Sequence, residues 1–138
     1  MKLWAYYNNE PKNIPLLLIR IVSYMNKSTK QIGDAGEDIA EKFLLENGYK
    51  VVERNFRTRF GEIDIIAMEG KILVFIEVKA KKDDYFGTPA EMITSKKLNK
   101  IRRTAEYYIQ ENQYKGSWRI DAVIIKGPQP ELIKNITR

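Results

Sequence analysis

The sequence has 138 residues, 30% of which are charged, and it contains neither cysteine nor histidine. Disulfides, thiolate zinc sites, cysteine nucleophiles, serine–histidine triads and histidine-dependent metal motifs are therefore excluded. A hydrophobic content of 43% suits one domain with one core. The net charge of +6 favours a polyanionic partner such as nucleic acid, with a soluble basic surface as the alternative.

Residues 1–27 are predicted to form an N-terminal extension. An apolar run over residues 14–25 is interrupted by Arg20, falls short of the roughly 20 residues that span a bilayer, and lacks a signal-peptide cleavage site. We expect a short amphipathic helix that packs on the domain or on a partner. Alternatively, the start is assigned too early and Met25 is the first residue. A cytoplasmic protein without membrane contact is the default expectation.

A first helix is predicted from about Ser28 to Gly48, because apolar residues recur there at helical spacing and glycine then ends the pattern. Glu37 lies at the border of the apolar stripe, where its side chain can reach inward. Its neighbours Asp38 and Glu41 are expected to stay solvated. An ordinary surface position for Glu37 is the alternative.

A strand over residues 49–55 and a loop over residues 56–60 are predicted next. The loop contains Arg57 and Arg59 immediately before an acidic segment. Their guanidinium groups suit bidentate contacts with phosphate. Arginines are also common in surface loops, so a purely solvating role remains the alternative.

Three charged residues, Asp64, Glu77 and Lys79, interrupt the two apolar runs that follow. Burying an unpaired carboxylate is costly, so these charges require an explanation. The short connection around Gly70 predicts an antiparallel hairpin. If its loop has two or four residues centred on Gly70 and Lys71, Asp64 lies across the ladder from Glu77, whereas a three-residue loop would place Asp64 on the other face.

Opposed carboxylates destabilise a sheet, and strand alternation places Lys79 on the same face as Glu77. Proteins usually hold Mg²⁺ with one or two carboxylates, completed by waters and a substrate phosphate. Asp64 and Glu77 are therefore candidate metal ligands. Lys79 is a candidate for stabilising the transition state of phosphodiester hydrolysis. The alternative is a buried lysine–carboxylate pair with a structural role.

These residues also carry a resemblance to known families. Asp64 followed by Glu77-Val78-Lys79 resembles the D…(D/E)-x-K signature of the restriction-endonuclease-like nucleases. A wider pattern, from about residue 30 to residue 125, resembles the bacterial YraN-like family, which is predicted to be endonuclease-like. Its motifs here are Gly33-x-x-Gly36-Glu37-x-x-Ala40, Gly61-Glu62-Ile63-Asp64, Val74-Phe75-Ile76-Glu77-Val78-Lys79, Phe86-Gly87 and Lys97.

The resemblance implies a restriction-endonuclease-like fold and a catalytic set of Asp64, Glu77 and Lys79. It implies that the two acids bind Mg²⁺ or Mn²⁺. It further implies that Glu37 is the helix-borne acid that often completes such a site, and that Lys97 contacts substrate.

Basic side chains follow the hairpin and recur on a second predicted helix, from about Ser95 to Glu111. On the helix, Lys96, Lys100 and Arg103 share one face, which is suited to follow a phosphate backbone and to make binding strongly salt-dependent; a solvated basic face is the alternative. Residues 85–89 are predicted to form a substrate-facing loop. The candidate nucleic-acid contacts in this part of the chain are Lys81, Lys82, Lys96, Lys97, Lys100 and Arg103.

The last predicted elements are a buried strand, Trp118 to Ile125, and an edge strand, Glu131 to Ile136. Arg119 and Asp121 share one face of the buried strand, which predicts a structural ion pair. The order of helix, strand, hairpin, helix and two strands predicts an α/β domain over residues 28–138, with a mixed sheet flanked by helices.

The favoured hypothesis is a Mg²⁺- or Mn²⁺-dependent nuclease acting on DNA, with branched or processed intermediates among its candidate substrates. The alternative is a catalytically weak nucleic-acid-binding module that acts with a partner protein. A third hypothesis is an interaction domain whose N-terminal segment docks onto a partner. A protein partner or a homodimer is left open: cutting a palindrome would require a dimer, and nothing in the sequence shows one.

Overall fold

The computed structural model describes residues 29–80, 93–126 and 129–137, and for residues 29–34 it describes only the main chain. The N-terminal extension, the loop over residues 85–89, and Lys81 and Lys82 lie outside the described residues. The domain boundary before residue 28 therefore stays a prediction.

The described chain contains two α-helices, α1 (Thr29–Glu46) and α2 (Ser95–Glu111). After α1 the chain turns at Gly48, whose φ of 84° favours glycine. The hydroxyl of Thr94 caps α2 by accepting a hydrogen bond of 3.2 Å from the backbone N–H of Lys97. The predicted bounds of α2 are confirmed. No helix in the described part is long and apolar enough to cross a membrane.

Five described strands form one sheet whose spatial order follows the chain. β3 and β4 are parallel, and the other neighbouring pairs are antiparallel. A parallel pair needs a crossover connection, and here α2 lies between the two strands in the chain. The mixed α/β architecture is therefore confirmed. The strands are β1 (Lys50–Thr58), β2 (Gly61–Glu69), β3 (Ile72–Ala80), β4 (Trp118–Ile125) and β5 (Glu131–Ile133).

The sheet separates two hydrophobic clusters. Ile39 of α1 and Ile76 of β3 belong to one cluster, and Ile101 of α2 and Phe75 of β3 belong to the other. Because side chains alternate along a strand, the residues of β3 face α1 and α2 in turn. Glu77 follows Ile76 and therefore faces α2. Fully burying an aliphatic or aromatic side chain contributes about 1.5–3 kcal/mol, so the two clusters hold both helices on the sheet.

The predicted loop over residues 56–60 is wrong in extent, because β1 continues to Thr58 and its turn contains only Arg59 and Phe60. The strand continues because Phe56 packs edge-on against the Tyr108 ring of α2, with ring centres 5.1 Å apart. This contact lies far away in the chain and has no local sequence signal.

The predicted edge strand from Glu131 to Ile136 is too long, since β5 ends at Ile133. Asn135 adopts a positive φ of 55°, and its backbone N–H donates a hydrogen bond of 2.8 Å to Asp121. The chain therefore leaves the β-ladder after Ile133, and its backbone donates a hydrogen bond to the buried carboxylate of Asp121 instead.

Candidate functional site

The β2–β3 hairpin brings Asp64 and Glu77 to the same level of the sheet. Its two-residue loop begins with Gly70, whose φ of 58° suits such a loop. From the loop the pairing runs in one register to Ile65 opposite Ile76. Asp64 and Glu77 are the next residues on the two strands. The predicted hairpin and its register are confirmed.

The Asp64 carboxylate lies where the β2–β3 ladder ends. Its Oδ2 accepts a hydrogen bond of 2.8 Å from the backbone N–H of Val78, which anchors the side chain to β3. Burial raises the pKa of the Asp64 carboxyl above its usual value, and the nearby charge of Glu62 raises it further. The hydrogen bond from Val78, a hydrogen bond with the Glu77 carboxyl and the charge of Lys97 oppose this rise in pKa.

Glu77 is only 5% exposed although it bears a carboxyl group. The Nζ atom of Lys97 lies 3.5 Å from its Oε1. Its Oε2 is buried and has no hydrogen-bond partner in the described part of the chain. Burial, the charge of Asp64 and a hydrogen bond between the two carboxyl groups raise the pKa of Glu77 to about 8, against the opposing charges of Lys97 and Lys79. We call Asp64 and Glu77 the acid pair.

Two lysines approach the acid pair from different elements. Lys79 follows Glu77 on the same face of β3, and its charge lowers the pKa of Glu77. Lys97 comes from the first turn of α2, which Thr94 caps. The structure thus brings Lys97, a candidate substrate contact, directly to a candidate metal ligand.

Glu37 approaches from α1 but is held by another partner. Its Oε2 lies 3.4 Å from Nη2 of Arg54 on β1. Burial and the charge of Asp64 raise the pKa of Glu37, whereas hydrogen bonds with Asn55 and Arg54 oppose the rise. No group of three or more acidic side chains among the described residues is arranged to hold a metal ion. Asp64 and Glu77 are therefore the two carboxylates that would bind a cation at the acid pair. Glu37 would not be a ligand of that cation.

Arg54 is the main residue of this region that sequence reasoning missed. Its Nη1 lies 2.8 Å from Asp38 and 2.7 Å from Glu41, so the prediction that these acids are merely solvated is incomplete. The available signal was the cluster of acids on one side of α1, beginning with Glu37. Such a cluster requires a cation on the strand beneath it.

The basic candidates in the described residues fall into separate groups. Arg57 is 74% exposed in its side chain and pairs with Glu62 at 3.3 Å. Arg59 and Arg103, by contrast, converge on one aromatic ring, that of Phe60. The remaining two are exposed on α2: Lys96 and Lys100.

Comparison with known proteins gives the chain a family. Residues 36–125 match the model of the Uncharacterised protein family UPF0102. A UPF0102 protein of Caldicellulosiruptor saccharolyticus is 44% identical over 100 residues, covering 72% of this chain and 83% of the relative. Another, from a Sulfurovum species, is 42% identical over 114 residues, covering 82% and 99%. A third, from Neisseria gonorrhoeae, is 45% identical over 107 residues, covering 76% and 93%. The chain therefore belongs to UPF0102, the YraN-like family that its motifs indicated.

Proposed function

We propose that this protein is a divalent-metal-dependent nuclease of the restriction-endonuclease-like class that hydrolyses phosphodiester bonds in DNA, including branched or processed intermediates. The observation that carries the proposal is the acid pair, in which Glu77 is buried with Oε2 unpartnered in the described residues. The D…E-x-K spacing and the mixed sheet between two helices support it.

The chemistry of the acid pair fits a divalent cation. When both carboxyls are ionised, Asp64 and Glu77 repel each other, and this repulsion contributes to the raised pKa of Glu77. A cation between them would relieve the repulsion and give the buried Oε2 of Glu77 a partner. Because the described acids supply only these two carboxylates, the other ligands would be waters and substrate oxygens, as is usual for Mg²⁺.

A bound Mg²⁺ or Mn²⁺ would supply charge neutralisation at the phosphodiester and lower the pKa of a water molecule. The protein's own groups have distinct roles. The Val78 N–H orients Asp64, and the Lys79 ammonium is available to stabilise negative charge that develops on the phosphate. Glu37, whose charge Arg54 partly neutralises, lies close enough on α1 for the charge of Asp64 to raise its pKa.

Basic side chains beside the acid pair are suited to hold the nucleic-acid backbone. Lys96, Lys100 and Arg103 are exposed on α2, the helix that also carries Lys97 to Glu77. Each cation that neutralises a phosphate releases counterions and adds to the salt dependence of binding. Arg59, at the β1–β2 turn, extends this basic surface.

One observation favours the second candidate function, a nucleic-acid-binding module with weak catalysis that acts through a partner protein. Lys97 already provides a cation next to Glu77. If that ammonium alone satisfies the acid pair, the site needs no metal and the basic surface remains as the functional feature.

Calorimetric titration with Mn²⁺ and Mg²⁺ separates the two candidates. We expect wild type to bind metal and to cleave at least one of duplex, single-stranded and branched DNA. Asp64→Asn and Glu77→Gln should each weaken metal binding by at least about tenfold and should abolish cleavage. The loss of a residue that only hydrogen-bonds to a metal ligand already weakens binding by that much.

Glu131→Gln is the matched control, because Glu131 is an exposed acid on β5 and its loss should change neither property. Folded wild-type protein that binds no metal would overturn the nuclease proposal and leave the binding module. Metal binding without cleavage of any of the three DNA forms would count against hydrolysis by this chain alone.

A further inference from the structure

The β1–β2 turn and α2 together form a small cationic and aromatic surface. Phe60 lies at its centre, with the guanidinium carbons of Arg59 and Arg103 each 4.8 Å from the centre of its ring. The ring of Tyr107 lies beside it at 6.0 Å, tilted by 59°. We call this surface the stacking patch; its members are Arg59, Phe60, Arg103 and Tyr107.

The turn is held tightly against α2. Gly61, directly after Phe60, has a φ of 154°, and a Cβ atom there would lie 3.3 Å from the Thr104 hydroxyl oxygen and 3.4 Å from Cβ of Lys100. A side chain at position 61 would therefore be tightly packed against α2 and would force its neighbours there to shift. This close approach places residues of two distant segments on one surface.

The charges of the stacking patch are not balanced within the described part of the chain. Arg59 and Arg103 are exposed, and neither has a carboxylate partner among the described residues, whereas their neighbour Arg57 pairs with Glu62. A cation–π contact at an exposed site contributes only about 0.5–1 kcal/mol. Two guanidinium groups held on one ring repel each other, and an anionic ligand would remove that repulsion.

An open pocket of about 670 Å³ adjoins the patch. Tyr107 and Phe56 give it aromatic walls, and Arg59 gives it a cation. Glu111 also lines it, and a carboxylate there would repel a free phosphate but can accept a hydrogen bond from the amino group of a base such as cytosine. The lining therefore fits a nucleobase attached to a phosphate backbone.

Only an unpaired base can use such a pocket, because paired bases are stacked inside the duplex. Single-stranded nucleic acid is typically bound by aromatic rings and arginines that stack on bases beside a positively charged path for the backbone. The stacking patch combines both features, and the exposed Lys100 on α2 extends the charge.

The patch lies close to the acid pair. Asp64 is the third residue after Gly61 on β2, a separation of about 10 Å at about 3.4 Å per residue. On α2, Arg103 follows Lys97 by six residues, a separation of about 9 Å along the helix axis at about 1.5 Å per residue. Both paths give a distance of about three base-pair steps.

We propose that the stacking patch binds an unpaired nucleotide of the nucleic-acid substrate, about three nucleotides from the bond that the acid pair would cleave. The proposal rests on the proposed function in taking nucleic acid as the ligand. It adds a substrate class, namely nucleic acid with a single-stranded segment that begins about three nucleotides from the cleavage position. Affinity for single strands does not require metal or hydrolysis.

Fluorescence anisotropy in the presence of EDTA tests this, because cleavage is then suppressed. The probes are a labelled single-stranded DNA oligonucleotide, its RNA counterpart and the blunt DNA duplex of the same sequence. We expect Tyr107→Ala to weaken binding to the single strands by about tenfold, as loss of one stacking ring does, and to change binding to the duplex by less than about twofold.

Two conservative variants separate stacking from charge and from folding. Tyr107→Phe keeps the ring and should retain wild-type affinity. Arg103→Lys keeps the charge but loses the planar group, so it should weaken single-strand binding while leaving the salt dependence unchanged. Exposed Tyr107 lies outside both hydrophobic clusters, so the thermal unfolding midpoint of each variant should stay close to that of wild type.

A 2-aminopurine base in the single strand adds a direct readout of stacking. Its fluorescence should be quenched by wild type and by Tyr107→Phe, and less by Tyr107→Ala. Equal losses for single strand and duplex, or unchanged single-strand affinity in Tyr107→Ala, would overturn the proposal. Metal titration of the same Tyr107→Ala protein keeps the two proposals distinct, since the acid pair should still bind Mn²⁺ when the patch fails.

Discussion

Each face of the sheet carries a buried carboxylate, and the two carboxylates differ in the hydrogen bonds that they accept. On the α1 face, Asp121 of β4 is 0% exposed, yet Arg119 donates to it from Nε at 2.9 Å and the Asn135 backbone N–H donates at 2.8 Å. On the α2 face, Glu77 is 5% exposed and its Oε2 has no partner in the described residues. Glu77 pairs in register with Ala122, the neighbour of Asp121.

The pKa values around the two sites show the same difference. On the α1 face, the hydrogen bonds from Lys134 and Arg119 lower the pKa of Glu69. Burial, with the charges of Asp121 and Glu69, raises the pKa of the Tyr49 hydroxyl to about 12, so this group stays a neutral partner for Arg119. On the α2 face, burial and Asp64 raise the pKa of Glu77 to about 8.

The comparison separates a buried charge that is fully compensated within the fold from one that a ligand could still compensate. Where every carboxylate oxygen accepts a hydrogen bond, the buried charge has a structural role and holds neighbouring segments in place. Where two carboxylates are buried together and one oxygen lacks a partner, the folded state retains an unfavourable interaction that a ligand can relieve. Removing charge should therefore have opposite effects on stability at the two sites.

Arg119→Met should cause the largest loss of stability. It would leave Asp121 buried without its arginine, which typically costs about 3–5 kcal/mol. Urea denaturation at pH 7 measures the loss. Adding Asp121→Leu to this variant should recover part of the stability, because the uncompensated charge is then gone. A loss below about 1 kcal/mol would show that the α1-face network is dispensable.

The metal-free protein should lose stability as pH rises from about 4.5 to about 8. The folded pKa of Glu77, about 8, exceeds the unfolded value of 4.5, so the folded state binds more protons in this window and the free energy of unfolding falls with increasing pH. At about 1.4 kcal/mol per pKa unit, the change is on the order of a few kcal/mol.

Urea denaturation across this pH range in EDTA measures the change, and millimolar Mg²⁺ should reduce it because the cation favours the ionised pair. Stability that is constant over the window would contradict the raised pKa of Glu77. The lowered pKa of Glu69 acts in the opposite direction and at lower pH, so it leaves this window unaffected.

Glu77→Gln should stabilise the metal-free protein at pH 8 by about 1–3 kcal/mol, because it removes one member of a repelling pair and supplies an amide donor. The same variant should lose most of the pH dependence described above, since the largest rise in a carboxyl pKa among the described residues is that of Glu77. Glu131→Gln, at an exposed acid, is the control and should be neutral. Destabilisation by Glu77→Gln would identify the acid pair as a structural element like the Asp121 site.

Lys134→Ala should have the smallest effect. Lys134 is 52% exposed in its side chain and pairs with Glu69 at the edge of the α1-face network. Surface ion pairs contribute less than about 1 kcal/mol, and screening at about 1 M salt should remove most of that. Thermal unfolding in low and high salt measures it. A loss comparable with that of Arg119→Met would place Lys134 within the buried part of the network.

Much of the candidate site was predictable because its constraints are local. A two-residue loop at Gly70 fixes the register of β2 on β3, and that register alone puts Asp64 level with Glu77. The ion pair of Arg119 and Asp121 follows in the same way, from alternation along β4. The extents of β1 and β5 were not predictable, because contacts with distant residues set them.

The amino-acid sequence by itself determined the α/β order, the bounds of α2 and the pairing that creates the acid pair, since these depend on periodicity, turn residues and strand alternation. Only the tertiary structure decided which charges are compensated. Lys97 reaches Glu77, Arg54 reaches Glu37, and Arg103 reaches Phe60 only when the helices pack on the sheet. Burial then determines the energy of each charge, and burial is a property of the packed fold that sequence spacing does not contain.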